Sequence, residues 1–131
     1  MTPESQMLQR WEYINEAIAN DEAEDKPSDE AYLVMKSVYY NQIKSGVKKV
    51  EYRDFTDYWV DRLLTHPLKT VKLNRGYTDE HMIFEIDWIG VISDNDKEIH
   101  AFDENGDMNE EGKSDTFDPR YISIHLGKRV K

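Results

Sequence analysis

Hydrophobic positions along the chain change period, from a helical stripe near the start to strict alternation near the end. Met7, Trp11, Ile14 and Ile18 recur at the spacing of one helix face. Thr2 as N-cap, Pro3 as first helical residue and Glu4 at the positive dipole end predict that a helix opens there. An apolar stripe needs a surface to cover it, which is the rest of the domain, a second copy or another protein. The acid-rich run 20–30, with Pro27 and Ser28, reads as a linker. The pattern therefore divides the chain into an N-terminal helix and linker, 1–30, and a domain, 31–131.

Within the domain the elements are short. A strand is predicted over Tyr32–Lys36, a helix over Ser37–Ser45 ended by Gly46, and a strand over Val47–Arg53. Asp54 reads as the cap of a second helix with Phe55, Tyr58, Trp59 and Leu63 at helical spacing, stopped by Pro67. Strands follow at Leu68–Asn74 and Met82–Ser93, the latter placing Met82, Phe84, Ile86 and Trp88 on one face and Gly90 at a bend or bulge. Lys97–Phe102 and Tyr121–Lys128 read as the last strands, with Ile122, Ile124 and Leu126 inward. Five or six strands with two short helices make an α+β fold built on a small barrel, and there is no internal repeat.

A length of 131 residues supports one core. The formal charge of −10 excludes a general basic coat for nucleic acid, so any such site is local. The excess is confined to two segments: residues 1–30 hold nine acids and two bases, and residues 94–118 hold ten acids and two bases. Residues 119–131 hold four bases and no acid. The acidic segments read as solvated loops or as a face that repels or mimics nucleic acid. The absence of cysteine excludes thiol chemistry and disulfides and fits a reducing compartment. With no membrane-length apolar run, and with Glu4 where a signal peptide needs a basic region, the expectation is a cytoplasmic protein.

Several chemistries lack their signatures. The Asp103–Asp107 turn resembles a calcium loop only in composition, because its glycine falls at the fourth position and Ser114 at the twelfth. The four histidines form no ligand-spaced pair, and there is no phosphate loop, dinucleotide fingerprint or GxSxG, so neither metal nor cofactor is expected. The informative segment is Gly46–Arg53, where strand alternation puts Lys49, Glu51 and Arg53 on one face and Lys48 on the other. Lys36, Lys44, Tyr39, Tyr40, Tyr58 and Trp59 flank it. Cations beside aromatic rings suit unstacked bases or nucleotides, whereas a solvated ladder of ion pairs with core-filling rings is the structural alternative.

These residues resemble the ASCH domain, a branch of the PUA-like superfamily, through its G-x-K-x-x-E-x-R motif, present as Gly46, Lys48, Glu51 and Arg53. The similarity continues in Glu51-Tyr52-Arg53, in Tyr58-Trp59 with Arg62-Leu63, and in Gly76-Tyr77, and covers residues 31–102 and 119–130. The resemblance implies a PUA-like barrel whose cleft, lined by Lys48, Glu51 and Arg53, binds RNA or a nucleotide. Some similar proteins are hydrolases, among them a ribonuclease and an amidohydrolase of N4-acetylcytidine. The amidohydrolase lysine falls on Lys48, its threonine position holds Glu51, and its glutamate has no clear counterpart.

Three functions follow. A binding module would hold RNA, a nucleotide or a modified nucleoside with Lys36, Lys48, Glu51, Arg53, Tyr58 and Trp59. A nucleoside amidohydrolase or ribonuclease-like hydrolase would use Lys48 and Glu51 in acid–base roles. An interaction protein would engage a partner, or a second copy, through the N-terminal helix or the acidic surfaces. Within the cleft, Lys48 suits a phosphate contact or a general base, and Glu51 suits a base amino group or an orienting bond to Arg53.

Overall fold

A computed structural model describes residues 29–131. The helix expected from Pro3 and most of the acidic linker lie outside the described residues. The domain is an α+β fold: six strands form one curled sheet, a half-barrel accompanied by two helices and a 3₁₀ turn. The elements are β1 (Glu30–Met35), α1 (Ser37–Lys44), β2 (Val50–Asp54), α2 (Asp57–Leu63), β3 (Thr70–Arg75), β4 (His81–Ser93), β5 (Glu98–His100), the 3₁₀ turn Glu110–Lys113 and β6 (Pro119–Arg129). Strand order is β1-β3-β4-β6-β2, with β5 on β4. Only β1 and β3 run parallel. No described helix is long and apolar enough to cross a membrane.

The alternation of β1 explains its place: Ala31, Leu33 and Met35 are buried while Tyr32 and Val34 are exposed. Leu33 faces Leu73, and Leu73 faces Met82 on β4, so three strands contribute fully buried side chains to one core. α1 closes one end with Tyr40 and Ile43, and α2 adds Val60 and Leu63. Gly46 takes φ +83° just after α1, the left-handed stop expected from the sequence. The second helix starts later than expected. Thr56, not Asp54, is its N-cap, its side chain accepting from the Trp59 N–H at 3.3 Å, while Asp54 ends β2.

β4 also departs from the expected pattern. Register shifts between Phe84 and Ile86 and between Ile86 and Trp88 interrupt its pairing with β6, and β4 carries the extra residue in the second. One extra residue reverses every later side chain. Met82 thus points inward, but from Ile89 onward the odd positions do, Ile89 and Val91 meeting Ile124 and Ile122. Trp88 is turned to the outer face. Gly90 lies beyond these irregularities, in regular pairing with Ser123 and His100. The acidic stretch after β5 is pinned to the core by Phe117, and Asp103 Oδ1 accepts from the N–H groups of Asn105 and Asp107.

Candidate functional site

β1 and β2 are the two ends of the curled sheet, and the motif residues lie on the seam between them. Lys48 precedes β2, in the turn that follows Gly46. Glu51 and Arg53 lie opposite Ile124 and Ile122 on β6, so their side chains share the inner face of the sheet. Lys49, expected on that face, lies before the strand and is exposed.

Glu51 is only 4% exposed, and its carboxylate is filled with donors. Oε1 lies 2.9 Å from Lys48 Nζ and accepts from the Tyr52 N–H at 3.1 Å, and Oε2 lies 2.8 Å from Arg53 Nη1. Arg53 is equally committed. Its Nη1 also donates to the Tyr52 carbonyl at 2.9 Å, and its Nη2 reaches across the seam to the Val34 carbonyl at 3.3 Å and Met35 Sδ at 3.5 Å. The guanidinium therefore caps backbone carbonyls on both ends of the sheet, a use of its rigid fork that lysine could not copy.

Lys48 differs from both. Of its three donors one is directed to Glu51, its Nζ stands 4.5 Å from the Tyr39 ring centroid, and its side chain is 20% exposed. It borders a cavity of about 280 Å³ whose walls include Ile43, Phe84 and Leu126, with Lys49 also on the lining. On the other side of the cluster, Arg53 Cζ lies 5.1 Å from the Trp59 ring centroid.

The structure thus brings together Lys48, Glu51, Arg53 and Trp59. Tyr58 meets Trp59 edge-on at 4.8 Å, but Arg62 covers one face of its ring at 3.4 Å. Lys36 stands exposed at the N-cap of α1 and forms no ion pair with Glu51. Tyr40, flanking in sequence, is a core residue. Tyr39 is the aromatic neighbour of Lys48, and helical spacing could have indicated it: residues 39 and 40 face different sides of α1.

A second polar cluster lies on the outer face, and no motif or spacing pointed to it. Glu98 Oε2 accepts from Ser123 Oγ at 2.5 Å and lies 2.8 Å from His125 Nε2. Trp88 is stacked between His125 and His100, with centroids at 3.7 and 4.1 Å and planes within 8° and 14° of parallel. Burial pushes the Glu98 carboxyl upward, but the bonds from Ser123 and His125 and the imidazole charges of His125 and His100 outweigh it, so Glu98 titrates below the usual carboxylate value. A depressed carboxyl stabilises the fold above its unfolded pKa, about 4.3, and loses that contribution as pH falls through the lower folded value. The stability difference between the wild type and Glu98→Gln is therefore full at about pH 5 to 6, where the carboxylate is ionised and imidazoles still carry charge, and closes below about pH 4. Urea midpoints across this range check it, and parallel curves would show that Glu98 is not held this way.

No protein-family model matches the chain, and neither a curated protein nor a solved structure does.

Proposed function

We propose that residues 31–131 form an ASCH-type, PUA-like module that binds RNA, a nucleotide or a modified nucleoside at the seam between β1 and β2. The observation that carries this reading is Lys48: a cation with donors to spare, beside an aromatic ring and above a cavity, held in place by a saturated glutamate. In this reading Lys48 contacts the ligand phosphate, the Tyr39 and Trp59 rings offer stacking surfaces, and Glu51 and Arg53 position the cation and close the seam. Acid–base catalysis by Glu51 fits less well, because both carboxylate oxygens are already taken.

Calorimetry against nucleoside monophosphates, N4-acetylcytidine and short single-stranded RNAs tests the proposal, with mass analysis of the same mixtures separating binding from turnover. Lys48→Ala weakens binding about tenfold, as loss of one charge-assisted contact should, while the domain stays folded because Arg53 and the Tyr52 N–H still hold Glu51. For a single-stranded RNA the salt slope falls by about 0.7, one phosphate contact. Equal affinity in the wild type and Lys48→Ala would overturn the reading.

A further inference from the structure

Away from the seam, a cavity of about 160 Å³ opens where β4 is irregular. Its lining combines three kinds of group. Leu68 and Ile86 are apolar, Trp88, His100 and Phe102 are aromatic, and Asp87 is acidic. Asp87 forms no ion pair with any described residue, and the His100 ring makes no hydrogen bond with one, although it stacks on Trp88. Both faces of Trp88 are taken by imidazoles, so the flat surfaces left to a ligand belong to His100 and Phe102.

The local field favours a cation. Residues 94–118 hold ten acids against two bases. Their turn comes close to the cavity wall: a Cβ added to Gly106 would stand 3.4 Å from Pro67, a lining residue. A carboxylate in no ion pair among the described residues, flat π surfaces and apolar walls at a small opening match one chemical group well. A guanidinium is planar, weakly hydrated and stacks on rings, it pairs with carboxylates through parallel N–H bonds, and its methylene stem lies readily along apolar side chains. An ammonium shares the charge but is strongly hydrated and has no flat face to stack.

We propose that this cavity is a guanidinium site, taking an arginine side chain of a partner protein or a free alkylguanidine. The ligand head stacks against His100 and Phe102, its N–H groups bond to Asp87, and the acidic segment 94–118 draws it in. The site is separate from the seam around Lys48, and its fate does not depend on that reading.

The test is a titration of the full chain, followed by amide and imidazole NMR shifts, with the monocations butylguanidine and butylamine and a blocked Gly-Arg-Gly peptide as probes. Butylguanidine and the peptide shift His100 and Trp88 saturably, and butylamine binds at least tenfold more weakly. Asp87→Asn and Phe102→Leu each lower guanidinium affinity about tenfold, while resonances around Lys48 and Arg53 stay in place. Tighter binding of the peptide assigns the site to a partner's arginine, and tighter binding of butylguanidine assigns it to a free alkylguanidine. Equal binding of butylamine and butylguanidine would overturn the proposal in favour of a diffuse acidic surface. So would affinity unchanged in Asp87→Asn, or no saturable shift at all.

Discussion

Glu51→Ala destabilises the domain by about 3–5 kcal/mol in equilibrium urea unfolding. The carboxylate is 4% exposed and takes donors from Lys48, Arg53 and the Tyr52 backbone. Removing it leaves two cations side by side with nothing between them, and strands the Tyr52 N–H as well. The side chains of Lys48 and Arg53 keep 20% and 16% exposure, so partial access to water holds the cost to the lower end of that range. Glu51→Gln keeps the volume and one acceptor and loses less. Lys48→Met combined with Glu51→Ala recovers part of the loss, because one of the two uncompensated charges goes with the lysine. A loss below about 1 kcal/mol, the level of an exposed ion pair, would mean that the cluster is solvated and does not hold the seam.

Gly90→Ala has the second large effect, about 3 kcal/mol, the top of the usual range for over-packing. A Cβ at this position would lie 2.5 Å from Ser123 Oγ, 2.8 Å from Trp88 Cζ3 and 3.0 Å from Glu98 Oε2. None of these neighbours can retreat easily. Ser123 is fully buried and bound to Glu98, and Trp88 is clamped between two imidazoles. The melting temperature falls by about 10 °C or more. Ser123→Gly in the same chain restores part of it by removing the nearest atom. A melting temperature unchanged by Gly90→Ala would show that the cluster repacks freely. The role of Gly90 is thus room for a side-chain cluster; its backbone is regularly paired, unlike the bend suggested by its place in the strand.

Much of the fold was legible because its signals are local. Alternation in β1, the glycine after α1 and the alternating Ile122 and Ile124 of β6 each act within a few residues. The failures are equally physical. Asp54 and Thr56 are both good caps, and only the chain path chose between them. On β4 the even-numbered apolar run continues through Trp88, yet the extra residue before it sends that ring outward. A bulge is set by pairing with another strand, so alternation within one strand cannot reveal it.

The candidate site divides in the same way. Strand parity places Glu51 and Arg53 on one face with Lys49 rather than Lys48 as their companion, and Lys48 is picked out only through the G-x-K-x-x-E-x-R resemblance. Which of these groups meet could not be read from spacing. Arg53 bonds to carbonyls on β1 and β2, strands that meet only because the sheet curls, so its contact across the seam was not legible in the sequence. Lys36, in the same basic neighbourhood of the sequence, stands exposed at the start of α1. The outer cluster draws Glu98, Ser123, His125, Trp88 and His100 from three strands. Within residues 29–131 the sequence by itself determined where most strands and both helices lie and where the unusual charges fall, because periodicity and capping are short-range. Tertiary structure alone decided which charges are paired with one another, because that depends on strand register and sheet closure between residues far apart in the chain.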